Sequence, residues 1–307
     1  MELSDLRVFL QVVESGGVSA AAEQLNRVPS NVTARIKSLE EKLDKALFVR
    51  DKNRLRISPA GEQLLPYAKQ LLTLSEQAKN ALTDSEPSGQ LRLGSMEAVA
   101  ATHLVEPVMQ FHQKYPQVKL EVKTAPTGEL IDRILAGDLD VALVADSYPD
   151  SRLTQTQVFE EELVIVSDLK HEAITSVNDL GCDPTFIGFS ASCAYRNKMT
   201  QWIKSAGHRV KVIEISSYHT MLSCVAAGMG VGIVPKALLA SYPCSTSIQV
   251  HVLDRQWRQS ITSLIWRNDS VSPSILAFAK EVTHISNCNP QKIMAGEERQ
   301  KQATDKV

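Results

Sequence analysis

The sequence predicts an α/β protein in three parts: a mostly helical, locally basic front, one long helix, and a two-lobed α/β region that occupies the rest. Three observations carry this. Apolar residues recur at helical spacing through residues 3–43, punctuated by Gly16-Gly17 and Pro29. A second helical pattern runs over residues 59–85, with Pro59 near its start. From Gln90 the pattern changes to short β-branched runs alternating with helical stretches, which is the signature of an α/β domain.

At 307 residues the chain has room for two or three compact units. Its 43% hydrophobic and 22% charged residues describe a globular protein able to bury full-size cores. A net charge of −2 excludes a uniformly basic nucleic-acid binder. The charge is unevenly placed, however. Between Arg27 and Arg56 lie nine Lys/Arg (27, 35, 37, 42, 45, 50, 52, 54 and 56) against four acids (40, 41, 44 and 51), a basic footprint on one module.

The start, MELSDLRVF, is acidic and amphipathic, unlike a secretory leader, and no apolar run approaches the roughly 18 residues of a membrane span. The five cysteines (182, 193, 224, 244 and 288) show no CxxC spacing and read as reduced thiols, which fits a cytoplasmic protein without membrane partners. The seven histidines (103, 112, 171, 208, 219, 251 and 284) show no metal-ligand spacing, so no metal site is expected. Nor is a catalytic constellation recognisable, so the chain is not expected to be an enzyme or to need a cofactor.

Taken in order, Leu3, Leu6, Phe9, Leu10 and Val13 form the apolar stripe of a first helix. A second helix, Val18 to Leu25, carries Ala20, Ala21 and Ala22, whose small side chains let a neighbouring helix approach closely. Asn26-Arg27 is a break, and Pro29 suits the first turn of a third helix, where its missing N–H is not needed. On that helix Val32, Ile36, Leu39 and Leu43 recur at i, i+4, i+7 and i+11 and define a buried face. Ser30, Ala34 and Lys37 fall opposite, flanked by Asn31 and Thr33, and Arg35 is a further candidate for DNA contact. Small, polar and basic side chains on one face are what a helix in the major groove presents, although an ordinary amphipathic hairpin has the same periodicity.

After Leu47 and Phe48, Leu55 and Ile57 alternate with Arg54, Arg56 and Ser58, a pattern for a β-hairpin, or else for a solvated basic loop. As a wing it would place Arg50, Lys52, Arg54 and Arg56 on phosphates, positioning the protein without reading sequence. Residues 1–58 therefore read as a winged helix-turn-helix DNA-binding domain. The long helix then marks one face with Leu64, Leu65, Ala68, Leu71, Leu72, Ser75, Ala78 and Leu82, and this stripe is expected to meet the same helix of a second copy. A hinge, SEPSG, closes a linker over 59–89.

Beyond the hinge, eight strands are predicted around 91–94, 118–124, 140–145, 163–167, 186–189, 210–216, 231–235 and 261–266, with helices between them, implying largely parallel sheets. The run divides into a first lobe (90–163 and 264–288) and a second (164–263). Ligands in such folds lie at strand C-terminal ends, in the crevice between lobes. The polar tail 289–307 is expected to be disordered.

The segments AAAEQL, VTARIKSLEEKL and LFVRDKNRLRISPAGEQLL resemble the alanine-rich helix, the I-x-x-L-E helix, the L-F-x-R segment and the (T/S)-P-A-G of LysR-type transcriptional regulators. Gly94, Pro107, Phe111, Tyr115-Pro116, Gly137-Asp138-Leu139-Asp140 and AAGMGVGIVP at 226–235 extend the resemblance through the rest of the chain. It covers about residues 1–287. One departure is Val28-Pro29, where the family often opens the helix with Ser/Thr-Gln. Valine has no side-chain oxygen to cap a helix and proline cannot bond a base, so more of the readout would fall to Ser30, Asn31, Thr33 and Lys37.

The resemblance implies a C-terminal domain built like periplasmic binding proteins, with a small-molecule co-inducer between the lobes and no resident cofactor. It implies double-stranded promoter DNA as a partner, a dimer or a tetramer of two dimers, and recruitment of RNA polymerase. Candidate effector residues are Ser95, Met96 and Glu97 after the first strand, Thr127 and Gly128 opening the next helix, and Ser190, Ser192, Arg196, Ser217, His219 and Thr220 from the second lobe. Such Ser/Thr and N–H arrays commonly bind carboxylates in this family. Glu97 either caps its own helix or favours a cationic group. Cys193 is either a plain thiol or a redox switch. A solute-binding protein would share the two-lobed architecture but not the basic front, and an enzyme would need a catalytic constellation that is not seen.

Overall fold

The computed structural model describes residues 1–51, 54–81, 86–147, 149–181, 183–240, 242 and 245–288. The chain forms two compact units, one from the first 85 residues and one from Glu86 onwards apart from Ala136–Asp138, which group with the first. Lys52, residues 82–85 of the linker and the tail 289–307 lie outside the described residues, as do the side chains of Arg50 and Arg54.

In the first unit, helix α1 (Leu3–Ser15) begins with a reciprocal cap between Glu2 and Asp5 and ends at Gly16, whose φ of 70° is left-handed. Helix α2 (Val18–Gln24) follows directly. Asn26, also left-handed at φ 51°, then reverses the chain, and the Arg27 N–H closes onto the Ala22 carbonyl at 2.8 Å. Helix α3 (Pro29–Leu43) starts with proline in its first turn and no side-chain cap at Val28. Leu6, Phe9, Ala21, Ala22, Val32, Leu39 and Leu47 are all 0–1% exposed, so the predicted stripes of the three helices make one core. Ala21 and Ala22 give α2 its close approach to that core.

The hairpin β1 (Phe48–Asp51) and β2 (Arg54–Ile57) pairs antiparallel, Phe48 opposite Ile57. Glu40 joins it to α3, its Oε1 accepting the N–H groups of Leu47 at 2.7 Å and Phe48 at 3.2 Å. Ser58 joins it to helix α4 (Pro59–Ala81). Its hydroxyl donates to the Ala46 carbonyl at 2.6 Å and accepts the Gly61 N–H at 3.0 Å.

The α4 stripe divides in two. Ala68 is fully buried in the first unit's own core, with Leu64, Leu65 and Leu72 packed against it. Tyr67 (63% exposed), Leu71 (38%) and Leu74 (56%) form a separate apolar row at i, i+4 and i+7. The expectation that the whole stripe meets a second copy is corrected: its Leu64, Leu65, Ala68 and Leu72 edge is already used within the unit.

The second unit is a mixed sheet, not the largely parallel one expected. In its first lobe β3 (Gly89–Ser95) pairs parallel with β4 (Val118–Thr124) and with β5 (Val141–Ala145). Helices α5 (Glu97–Thr102), α6 (Val105–Lys114) and α7 (Thr127–Leu135) make the crossovers. Strand β6 (Leu153–Asp168) then runs 16 residues through both lobes. The second lobe adds β7 (Thr185–Gly188), α8 (Ala194–Ser205), β8 (Lys211–Glu214), α9 (Tyr218–Ala226), β9 (Gly232–Pro235), α10 (Lys236–Leu239) and β10 (Ile248–Val252). The short α11 (Arg255–Arg258) leads into β11 (Gln259–Arg267), and α12 (Pro273–Cys288) ends the described chain.

Strand order is β10-β6-β11-β5-β3-β4, with β9 also on β6. Every pairing of β6 is antiparallel, and it and β11 carry the chain between lobes in opposite senses. Gln259 pairs with Glu162, so residues 259–263, expected in the second lobe, belong to the first lobe's sheet. The pairing shifts between Thr262 and Ser263, where Val158 is the extra residue of a bulge in β6.

Candidate functional site

On α3 the residues opposite the core are open to solvent: Ser30, Asn31, Thr33, Ala34 and Lys37 are all exposed. Thr33 returns its hydroxyl to the Pro29 carbonyl at 3.0 Å. Lys37 lies 3.8 Å from Glu41 one turn on, an exposed pair that screens readily and leaves the ammonium available. Arg35 departs from the expected set. Its guanidinium turns onto α1, donating to Ser4 Oγ at 2.9 Å and lying 3.6 Å from Asp5, so it braces the helices. Burial raises the Asp5 carboxyl, but Lys42, the Glu2 N–H and Arg35 together outweigh it and hold the group below the usual carboxylate range. Arg56 is exposed on β2 of the hairpin.

The second unit holds a cavity of about 530 Å³. It lies where the starts of α5 and α7, from the first lobe, face those of α8 and α9 from the second. Its wall includes Met96, Glu97, Thr127 and Ser190 from the expected set, and also Glu129, Phe189, Cys193, Tyr195, Glu214, Ser216 and Tyr218. Glu97 reaches across the lobes instead of capping its own helix. Its Oε1 accepts the Tyr218 N–H of α9 at 3.4 Å. Burial holds its carboxyl above the usual range, offset in part by that N–H.

Ser95 is buried behind the wall and donates to the Met96 carbonyl at 3.0 Å. Gly128 makes a close approach between the lobes: its N–H bonds the Ser192 carbonyl at 3.0 Å, and a Cβ there would sit 3.0 Å from that of Ser192. Arg196 is held by the Phe189 carbonyl at 2.7 Å and by Glu214 at 2.8 Å. Ser217 caps α9 through the His219 N–H at 3.2 Å. The His219 ring packs beside Tyr242 at 5.3 Å, and neither His219 nor Thr220 is part of the wall. Among the described residues no group of His, Cys, Asp and Glu could hold a metal ion, and no helix is long and apolar enough to cross a membrane.

Two family descriptions match this architecture: "Bacterial regulatory helix-turn-helix protein, lysR family" over residues 3–62, and "LysR substrate binding domain" over residues 84–285. The chain belongs to the LysR family. It is a DNA-binding transcriptional regulator with an effector-binding domain, not an enzyme. Among curated relatives, the HTH-type transcriptional regulator YofA of Bacillus subtilis is 34% identical over 288 residues, covering 93% of this chain and 99% of that protein. Among solved structures the fold is shared with a full-length OxyR from Pseudomonas aeruginosa, at a TM-score of 0.75 and 20% identity over 92% of this chain and 94% of that one. It is shared as well with full-length CbnR in complex with its target DNA, at a TM-score of 0.65 and 21% identity over 93% and 100%.

Within this LysR regulator several of the serine and threonine hydroxyls expected to bind a carboxylate have protein partners. Ser190 and Ser192 bond each other at 2.8 Å, and Thr127 Oγ1 lies 3.2 Å from Met96 Sδ while accepting the Ala145 N–H at 3.2 Å. Cys193 faces the cavity, yet burial pushes its thiol up, against the Arg196 and Tyr195 N–H groups that favour the thiolate. Sensor thiols are low in pKa and exposed, so this environment supports the plain-thiol alternative.

The residues missed from sequence are the rings of Phe189, Tyr195 and Tyr218 and the acids Glu129 and Glu214. A signal was present for Tyr218: it directly follows Ser217, a residue type that caps helices.

Proposed function

We propose that this regulator works as a pair of chains on a partly palindromic promoter site, its response set by a small molecule in the interlobe cavity. Helix α3 lies in the major groove with Ser30, Asn31, Ala34 and Lys37 toward the bases. Thr33 packs beside them, and Arg35 positions the helix. The wing follows the backbone, with Arg50, Lys52, Arg54 and Arg56 on phosphates. The observation that carries this reading is the open polar face of α3 directly opposite its fully buried stripe. Duplex DNA as a partner also supports a cytoplasmic location.

Pairing is assigned to α4. Tyr67, Leu71 and Leu74 form an exposed apolar row on the helix that leaves the DNA-binding unit, and a second copy would cover it. Closure of the lobes on the effector would then alter the spacing of the paired DNA-binding units, the bend of the DNA and the recruitment of RNA polymerase. Two such dimers make the tetramer implied by the family resemblance.

Gel-shift with the DNA upstream of the chain's own gene tests the first half. Leu74→Glu tests the second. It should convert the dimer to monomer in sedimentation velocity and weaken binding to the full site at least about tenfold, because the two half-sites are then engaged independently. An unchanged sedimentation coefficient and affinity would remove α4 from the pairing surface.

A further inference from the structure

We propose that the cavity takes a cationic effector, whose ammonium or guanidinium group sits against Glu97 with the rings of Phe189, Tyr195 and Tyr218 around it. This rests on the reading that the cavity is the effector site, and names the ligand class.

The wall carries three carboxylates, Glu97, Glu129 and Glu214, and no lysine, arginine or histidine among the described residues. Two of the three are neutralised from outside the wall: Arg133 lies 2.6 Å from Glu129, and Arg196 lies 2.8 Å from Glu214. Glu97 has no cation partner among the described residues; its contact is the 3.4 Å bond from the Tyr218 N–H. A carboxylate facing a cavity with one long hydrogen bond retains most of its accepting capacity.

Several donors that an anion would use are already taken. Three helix-start N–H groups of the kind that hold a carboxylate or phosphate have protein acceptors: Gly128 on Ser192 O, Tyr218 on Glu97 Oε1 and His219 on Ser217 Oγ. The Ser190 and Ser192 hydroxyls bond each other. An anion entering here would meet the uncompensated negative charge of Glu97 and no cationic side chain on the wall among the described residues.

The aromatic side chains fit the same ligand. Phe189 and Tyr218 pack with centroids 4.7 Å apart, and Tyr195 is anchored from behind by its hydroxyl bond to the buried Glu161 at 2.6 Å. Ring faces attract cations and cover the apolar part of an organic amine. The volume suits a small organic molecule. Glu97 also joins α5 of the first lobe to α9 of the second, so a cation bound to it acts on a contact between the lobes.

Thermal shift of the full chain tests this with three ammonium probes (benzylammonium, n-butylammonium and 1,4-diaminobutane), the matched anions benzoate and butyrate, and benzyl alcohol, all at one ionic strength. At least one cation should raise Tm in a concentration-dependent manner, and the anions and alcohol should not. Glu97→Gln should weaken that cation about tenfold or more, and Glu97→Asp should recover most of the loss. Ser216→Trp, which fills the exposed rim, should abolish the effect. Stabilisation by benzoate or butyrate that is lost in Ser216→Trp would overturn the cationic class and leave the cavity as the effector site. A cation shift indifferent to both Ser216→Trp and Glu97→Gln would overturn both. No shift with any ammonium probe would also overturn the proposal.

Discussion

Gly61→Ala is expected to unfold the DNA-binding unit well before the effector domain and to abolish specific DNA binding at room temperature. A Cβ at this position would lie 2.3 Å from the Leu47 carbonyl oxygen and 2.7 Å from Ile57 Cγ1. The first is backbone, and it already accepts the Ser58 N–H at 2.9 Å, so it cannot retreat without opening the junction between hairpin and α4. Overpacking against movable side chains costs about 1–3 kcal/mol. Against an anchored carbonyl the upper end or more applies, which on a unit of this size is about 10 °C or more. Circular dichroism should show an early helical transition. An unchanged melting curve would mean that α4 and the wing are not packed as described. The requirement explains the glycine of the SPAG segment: Ser58 caps, Pro59 starts the helix, and Gly61 lets the helix touch the strand.

Gly230→Ala should have a comparable effect in the second lobe. Here φ is 156°, and a Cβ would lie 2.3 Å from the Thr185 carbonyl oxygen, which accepts the Val231 N–H at 3.0 Å. That bond ties β7 to the start of β9 beside the isolated pairing of Phe186 with Val231. The expected loss is several kcal/mol, with backbone strain adding to the overlap. Trp202, Trp257 and Trp266 all belong to the effector-domain unit, so tryptophan fluorescence reports this unit alone. Its transition should move down by about 10 °C, with effector-induced stabilisation reduced in parallel. A transition within about 2 °C of the parent would contradict the close approach.

The N-terminal fold was almost fully legible in the sequence, because its information is local: helical stripes, alanines, a proline at a helix start and alternating residues in a hairpin. The effector domain was legible where strands are apolar and failed where they are not. The first half of β6 reads LTQTQVFEEE, and β10 reads IQVHV, neither a continuous apolar run. Both were missed, and with them the antiparallel crossing that makes the sheet mixed. The same gap misplaced the start of β11, where Gln259 to Ile261 lie opposite the glutamates of β6.

For the site, sequence could name residues at strand ends and helix starts, and Met96, Glu97, Thr127 and Ser190 do meet in the cavity. It could not show which polar groups satisfy one another. Ser190 with Ser192, Arg196 with Glu214 and Arg35 with Ser4 and Asp5 are all tertiary pairings. Those pairings decide what remains available to a ligand or to DNA. They leave Glu97 open in the cavity, and on α3 they leave a narrower reading face than the sequence suggested.

The most direct test of that face is the affinity of the full chain for its own upstream site and for a scrambled site across a salt series, for the parent, Asn31→Ala and Arg56→Ala. Asn31→Ala should reduce the ratio between the two sites by about tenfold, within the 1–3 kcal/mol typical of a base contact, and leave the salt slope unchanged. Arg56→Ala should weaken both sites alike and lower the slope by about one. Equal loss on both sites for Asn31→Ala, with the ratio intact, would contradict the assignment of α3 as the element that reads sequence.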